Sequence, residues 1–256
     1  MQLKIGERFK SYENAFSHQL PPRMPVIVRV DGRAFHTLTK REPTIEKPFC
    51  PYFSAAMETT TAALIEETHA IMGYQQSDEI SLLLLNDRKH ETQAYFDNEC
   101  AKIISITASV ASVAFSQYMS ELLKKRITAH FDSRAFIIPP NEIENYFIWR
   151  QLDAIRNAKN GWTECTLGKE IGLGTARKVL HGKSASERVE YVEANTTHKF
   201  DEIPLHFVYG REITLHMRKA LGKTADCMLT SQPAPYYIDH KEHVAETLQH
   251  YYEKAE

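Results

Sequence analysis

The chain contains little of what marks several protein classes. Ten glycines and eleven prolines in 256 residues are too few for a low-complexity or collagen-like chain. The longest apolar run, residues 82–85, is too short to cross a bilayer, and the charged first ten residues lack the apolar stretch of a secretory signal. We therefore expect a cytoplasmic protein with no membrane segment. The few cysteines are far apart and form no CxxC pair, which argues against a zinc site or a disulfide framework: Cys50, Cys100, Cys165 and Cys227.

The chain also lacks a strong net charge. Its 31 basic and 33 acidic residues give a net charge of −2, so no global positive field points to nucleic acid. Any RNA-binding surface must be a local patch. One candidate is the segment 169–188 and another is 124–126, although a solvated helix face explains these charges equally well. The basic residues of the first segment are Lys169, Arg177, Lys178, Lys183 and Arg188.

Hydrophobic patterning predicts an α+β protein. Residues 25–30 are apolar and β-branched, which is typical of a buried strand. Helical spacing follows at 51–70 and again at 91–125, and the two segments are separated by two predicted strands around the polar turn 75–79. A last strand is predicted at 127–138. The order strand, helix, strand, strand, helix, strand is that of a ferredoxin-like βαββαβ core.

The remainder of the chain is predicted to be mainly helical. We expect helices at 145–158 and 241–253, one or two helices within 174–194, and a strand or hairpin at 203–217. The pattern divides the chain into a catalytic core at 1–140 and a helical elaboration at 141–256 that packs on it.

Two carboxylates fall at neighbouring strand ends of this predicted core. Asp31 ends the first strand, and Asp78 lies in the turn between the second and third strands. Carboxylates so placed are suited to a pair of Mg²⁺ ions, which prefer oxygen ligands and promote phosphoryl transfer. Gly32 would let its carbonyl approach such a metal. A turn capped by Asp31 and a solvated hairpin containing Asp78 explain the same residues equally well.

Four ordered motifs resemble the tRNA-histidine guanylyltransferase family, most closely its bacterial and archaeal (Thg1-like) branch. They are RVDGRAFH at 29–36, QSDEISLLL at 76–84, FDSRAF at 131–136 and YFIWRQLDAIRN at 146–157. The resemblance implies a polymerase-like palm that adds nucleotides to the 5′ end of tRNA in the 3′–5′ direction. It implies Mg²⁺ as cofactor, ATP or GTP as substrates, tRNA as partner and a homotetramer.

The resemblance also implies roles for individual residues. Asp31, Gly32 and Asp78 match the metal ligands, and Glu79 flanks them as a third catalytic residue. The matches to the triphosphate contacts are Gly32, Arg33, Ala34, Phe35, His36, Lys47 and Ser77. Contacts to tRNA are expected from Arg134 and Asn157, and the basic segment adds Arg177, Lys178 and Lys183.

One departure from the family pattern bears on specificity. Eukaryotic members carry His-Ile-Asn-Asn after the WRQ motif, whereas this chain has Ile155, Arg156, Asn157 and Ala158. Ile155 offers no ring nitrogen for hydrogen bonding, so we expect selectivity to come from pairing with a template, as in repair of truncated tRNA. Two rival functions remain open from the sequence: a palm-type nucleotide cyclase and a non-catalytic RNA-binding protein.

Overall fold

The computed structural model describes residues 4–217 and 227–253. In these residues six strands form one antiparallel sheet in the order β4-β1-β3-β2-β5-β6. The first four strands have the arrangement predicted for the βαββαβ core. The strands are β1 (Val26–Arg33), β2 (Met72–Gln76), β3 (Glu79–Leu84), β4 (His130–Ile137), β5 (Arg211–Met217) and β6 (Cys227–Pro233).

Helices cover both faces of the sheet. Short 3₁₀ turns occur at Tyr95–Asn98, Pro140–Glu142 and Phe200–Glu202. The α-helices are α1 (Ile5–Asn14), α2 (Phe35–Arg41), α3 (Pro51–Thr68), α4 (Cys100–Leu123), α5 (Ile143–Ile171), α6 (Leu173–Leu180), α7 (Ala185–Asn195), α8 (Leu205–Val208) and α9 (Glu242–Glu253).

The apolar sequence of β1 follows from burial on both faces. Val28 and Val30 point into a core formed with α3 and α4, whereas Ile27 points into a second core formed with α5 and α9. A strand covered on both faces has no need of polar alternation. The polar face of β1 begins only at Arg29 and Asp31, which lie on the α5 side of the sheet, and this is where the candidate site starts.

Helix α4 is fastened to the segment that leads into β4 by serines one turn apart. The backbone amides of Phe131, Ala129 and Ile127 donate to the hydroxyls of Ser112, Ser116 and Ser120 at 3.1, 2.9 and 2.8 Å. By length and composition alone α4 could cross a membrane. Its bonds to the β4 segment and its packing on the sheet make it an element of this fold.

Several predicted boundaries were wrong. The helix predicted from residue 91 begins at Cys100. Phe96, Asp97 and Asn98 have positive φ angles, which a right-handed α-helix does not permit. The helix predicted at 145–158 extends over Ile143–Ile171. Residues predicted as one strand or hairpin at 203–217 instead form α8 and then β5.

The segment after residue 140 contributes strands as well as helices. β5 pairs with β2, with Thr214 opposite Met72 and Ile213 opposite Gly73. β6 then pairs with β5. The two parts of the chain therefore share one sheet, and the predicted strand within 203–217 pairs with β2 of the core on one side and with β6 on the other.

Candidate functional site

The end of β1 and the β2–β3 turn meet at one end of the sheet. Asp31 lies opposite Glu79 of β3, and the Gly32 amide donates to the Asp78 carbonyl at 3.0 Å. Ser77 and Asp78 form a two-residue turn in which Ser77 has a φ of 49° and donates its hydroxyl to Asp78 Oδ1 at 3.1 Å. These contacts bring Asp31 and Asp78 together, as their sequence positions predict.

Both carboxyl groups are shifted toward the protonated form. Burial, followed by the charges of Asp78 and Asp132, raises the pKa of Asp31 above its ordinary value. Burial also raises the pKa of Asp78, although its own amide and the Ser77 hydroxyl partly counter this. Carboxylates held together in a partly desolvated site at neutral pH are suited to a divalent cation, which removes their repulsion.

The donor set fits magnesium. Asp31 and Asp78 offer only oxygen, and Gly32, whose main chain could add a further oxygen, follows Asp31 directly and is bonded through its amide to Asp78. No group of three or more His, Cys, Asp or Glu side chains is placed to hold a metal in residues 4–217 and 227–253. A metal here must therefore be held by two carboxylates with main-chain, water or substrate oxygens, which is the usual manner of magnesium.

Gly32 is required by the close approach of an aromatic ring. A Cβ at this position would lie 2.4 Å from Phe35 Cδ2. The Phe35 ring is buried and packs on Phe53, Phe115 and Phe131 with centroid separations of 5.8, 5.0 and 5.0 Å. Its side chain belongs to the core, so only its backbone can contact a ligand.

The other predicted nucleotide contacts divide between two places. Arg33, Ala34 and His36 are exposed where β1 turns into α2, and Ala34 has a φ of 58° that reverses the chain there. Ser77 is exposed in the facing turn. Lys47 is exposed in the loop before α3, and its charge acts on the thiol of Cys165 in α5. That loop borders the turn through its residues 48–50, which line a cavity of about 140 Å³ together with Ser77 and Asn157.

Glu79 is bound by a buried arginine that the motif analysis quoted without assigning it a role. Arg150 Nε lies 2.9 Å from Glu79 Oε1, and Arg150 Nη2 donates to Asp153 Oδ2 at 2.7 Å. Burial raises the pKa of Glu79, while the charge of Arg150 lowers it. Asn157 donates to the same Asp153 oxygen at 3.3 Å, so α5 presents a connected polar row to the site.

Arg29 and Trp149 also belong to the site, although the motifs that contain them predict no role for either. Arg29 is two residues before Asp31 on the same face of β1, and its guanidinium lies 5.9 Å from the centre of the Trp149 ring. Arg29 lies in the motif at 29–36 and Trp149 in the motif at 146–157, so the sequence did mark both residues as candidates. The sequence did not predict that Arg29 of β1 meets Trp149 of α5, a residue 120 positions away along the chain.

The predicted tRNA contacts lie in separate regions. Arg134 is exposed on β4 directly opposite Arg29, where it pairs with Asp132 at 3.0 Å. Arg177 forms an ion pair with Glu164, and Lys178 is exposed. Lys183 lies 5.3 Å from the centre of the Tyr191 ring. The last three are on or next to α6 and α7, which pack on the C-terminal half of α5 through a small apolar cluster of their own.

A model of the tRNAHis guanylyltransferase family matches residues 6–139. The chain belongs to this family. A solved structure of a bacterial tRNAHis guanylyltransferase (Thg1)-like protein in complex with ATP is 32% identical, covers 95% of this chain and 99% of its own, and superposes with a TM-score of 0.83. For the structure of such a protein in complex with GTP, identity is 33%, coverage 95% and 98%, and the TM-score 0.74.

Among named relatives is a probable tRNAHis guanylyltransferase of Drosophila melanogaster. It is 26% identical over 223 residues, which cover 85% of this chain and 75% of the relative. As a member of the family, the present chain is a nucleotidyltransferase of tRNA processing that adds nucleotides in the 3′–5′ direction. A nucleotide cyclase and a non-catalytic RNA-binding protein are thereby set aside.

Proposed function

We propose that this guanylyltransferase-family chain repairs the 5′ ends of tRNAs by template-dependent 3′–5′ nucleotide addition. The observation that carries the proposal is the juxtaposition of Asp31 and Asp78 through the bond from the Gly32 amide to the Asp78 carbonyl. It places two partly buried carboxylates beside an exposed backbone turn. Such an arrangement is suited to nucleotidyl transfer, which needs positioning and charge neutralisation rather than a protein nucleophile.

In this proposal Asp31, Asp78 and the Gly32 carbonyl hold two Mg²⁺ ions. When bound, the ions would neutralise charge on the attacking and leaving oxygens of phosphoryl transfer. Glu79, the third residue proposed as catalytic, acts beside them through Arg150, because the pair holds α5 against the start of β3. Its contribution is to position the site rather than to touch the reacting atoms.

The nucleoside triphosphate would lie along the β1–α2 turn. Backbone that alternates into the left-handed region directs successive amides to one point, which suits a phosphate. Ser77 approaches from the facing turn, and Lys47 from the loop before α3. The proposed contacts are Gly32, Arg33, Ala34, the main chain of Phe35, His36, Lys47 and Ser77. The relatives solved with ATP and with GTP support both nucleotides as substrates.

Two transfers follow in sequence. The 5′-monophosphate of the tRNA attacks the α-phosphorus of ATP or GTP, and pyrophosphate leaves. The 3′-hydroxyl of an incoming nucleotide then attacks the 5′ phosphorus of the activated end, and the nucleoside monophosphate leaves. A tRNA that already carries a 5′-triphosphate enters at the second transfer and releases pyrophosphate.

The tRNA would cross from the core to the helical elaboration. Arg134 and Asn157 lie on the elements that frame the site, and Arg177, Lys178 and Lys183 lie beyond it on the α6–α7 unit. We propose that residues 1–140 supply the chemistry and residues 141–256 most of the tRNA contacts. We propose further that the protein works in the cytoplasm as a homotetramer.

Template dependence is proposed from the residues that replace the eukaryotic His-Ile-Asn-Asn run. Ile155 is apolar and Ala158 is buried beside the small cavity at Ser77. Neither can read a base or a phosphate by hydrogen bonding, so base pairing with the opposing strand supplies the selectivity. Proteins that act on RNA ends read backbone and shape in the same manner.

Labelled GTP, incubated with and without a 5′-truncated tRNA, tests the proposal. Extension of the tRNA by labelled nucleotide is the expected outcome. A cyclic nucleotide formed without RNA would assign the palm to a cyclase, and retention of RNA without any product would assign it to binding alone.

A further inference from the structure

Helix α5 presents an exposed tryptophan beside the carboxylate site. Trp149 is 53% exposed, in a chain whose other tryptophan, Trp162, is 6% exposed. An indole left half in water beside a polar site keeps a large flat surface available for a further contact, and burial of that surface would be favourable.

The ring is held in place from within the protein. The guanidinium of Arg150 lies 4.2 Å from its centre and that of Arg29 lies 5.9 Å from it, while Tyr146 makes an edge contact at 5.9 Å. Both guanidiniums also act on buried Glu79, so they hold the ring against the end of the sheet where Glu79 lies. The remainder of the indole faces solvent in a fixed orientation, and a further flat group could stack there with little loss of side-chain entropy.

Trp149 of α5 lies against β1, and the residue of β1 that it contacts indicates which reactant it can reach. Arg29 precedes Asp31 by two residues on the same face, and the β1–α2 turn follows Asp31 on the other side. Trp149 lies over Arg29. A nucleoside triphosphate in the β1–α2 turn would therefore approach Asp31 from one side, and a base stacked on Trp149 would approach from the other.

The surroundings of Trp149 suit a polynucleotide. Arg134 is exposed on β4 directly opposite Arg29, and Arg29 Nε is buried without a hydrogen-bond partner in the described residues. An aromatic platform flanked by cations is the arrangement by which proteins hold single-stranded RNA. Stacking accepts any base, since every base has a flat face.

We propose that Trp149 is a stacking platform for the nucleobase at the 5′ terminus of the RNA substrate, with Arg134 on the adjoining phosphate. This inference rests on the proposed function, because it deepens the account of how the same site holds its RNA. It adds a base contact that is independent of base identity, and so it is compatible with selection by a template.

Tryptophan fluorescence gives a direct readout of the platform. In a Trp162→Phe background Trp149 is the single tryptophan, and stacking of a base quenches its emission. A short RNA hairpin with a 5′-monophosphate is the probe. We expect saturable quenching by this hairpin and much weaker quenching by the same hairpin with an abasic 5′-terminal nucleotide. Equal quenching by the abasic hairpin, or full quenching by GTP alone, would overturn the assignment.

Variants in the otherwise unchanged chain provide a second measurement that does not depend on the Trp162→Phe background. Trp149→Leu keeps apolar bulk and loses stacking, and we expect the KM for 5′-truncated tRNA to rise about 10- to 100-fold. We expect Trp149→Phe to restore most of the binding and the KM for GTP to stay unchanged in both. Tyr12→Leu, on another exposed aromatic in α1, is the matched control.

The salt dependence of RNA binding distinguishes the contribution of Trp149 from that of Arg134. Stacking releases no counterions, so Trp149→Leu should leave the salt slope of binding unchanged, whereas Arg134→Gln should reduce it. If Trp149→Leu changed the oligomeric state and left RNA binding intact, the ring would be a subunit contact and the inference would fail. If the unaltered chain extended no RNA but still quenched with the hairpin, the proposed function would fail and the platform would stand.

Discussion

The charges of Asp31 and Asp78 act against the stability of the metal-free protein. Each carboxyl has a folded-state pKa above its ordinary value of 3.8. Because the pKa is raised on folding, protonation of each carboxyl stabilises the folded state. This contribution to stability is complete below the unfolded-state pKa and is lost as the pH rises through the folded-state pKa. When both groups are ionised, the fold holds two neighbouring negative charges, and a bound cation would offset their repulsion.

The first prediction concerns this repulsion. Asp31→Asn should raise the melting temperature of the metal-free protein at pH 7, and the gain should disappear as the pH falls to the range where Asp31 itself is protonated. Magnesium should raise the melting temperature of the unaltered protein and leave that of the variant unchanged. Nucleotide addition by the variant should fall at least about 100-fold. Differential scanning calorimetry across pH, with and without magnesium, measures the effect on stability.

A similar variant outside the cluster serves as the control. Asp97→Asn removes a carboxylate in the loop before α4 and should respond to magnesium as the unaltered protein does. A melting temperature that magnesium raises equally in Asp31→Asn and in the unaltered protein would contradict the metal assignment.

At the scale of elements, the register between α4 and the β4 segment depends on serine hydroxyls. Ser112, Ser116 and Ser120 are four residues apart and meet the amides of alternate residues, because one helical turn spans about the same length as two residues of extended chain. These hydroxyls satisfy amides along the segment that leads into β4 and through part of it. The catalytic edge of the sheet, where Asp132 lies opposite Asp31, thereby acquires a fixed outer strand.

The second prediction tests this attachment. Ser116→Ala leaves the amide of Ala129 without its partner and should cost about 1–2 kcal/mol of the free energy of unfolding. Ser109→Ala on the exposed face of the same helix should cost less than about 0.5 kcal/mol. Urea unfolding with an unchanged m-value reports both. Equal losses in the two variants would show that the Ser116 hydroxyl is dispensable.

Elements with strong local patterns were predictable. The strand β1 and the turn at Ser77 could be located because an apolar run lies directly next to polar turn residues in the sequence. The start of α4 could not be predicted, because the residue types of Phe96, Asp97 and Asn98 do not indicate their left-handed backbone angles. The ion pair of Arg150 and Glu79 could not be predicted either, since the two residues are 71 positions apart and only the tertiary fold brings them together.

At the scale of the whole molecule, the chemistry and the basic segment lie apart. Asp31 and Asp78 are at the end of β1 and β3, whereas Arg177, Lys178 and Lys183 are on the α6–α7 unit beyond the site. We propose that the tRNA contacts both. From the sequence alone, the charge pattern of this segment was equally compatible with a solvated surface.

The third prediction concerns the charges of this unit. Lys178 is exposed, so Lys178→Gln should weaken tRNA binding and reduce the slope of log Kd against log salt by about 0.9. Arg177→Gln should have a smaller effect because Glu164 already pairs with that guanidinium, and Glu164→Gln should strengthen binding. Filter binding over a salt series measures all three. Lys10→Gln on exposed α1 is the control. A slope unchanged by Lys178→Gln would show that the segment is an ordinary solvated surface.

The central claim is tested most directly by a competition between two tRNA substrates. Full-length histidine tRNA and a tRNA lacking its first nucleotide are offered together with the four labelled nucleoside triphosphates, and the base opposite the missing nucleotide is varied. We predict that the truncated tRNA is extended in preference, that the added nucleotide is complementary to the opposing base, and that Asp78→Asn abolishes the addition. Preferential guanylate addition to full-length histidine tRNA, or addition that ignores the opposing base, would contradict the account.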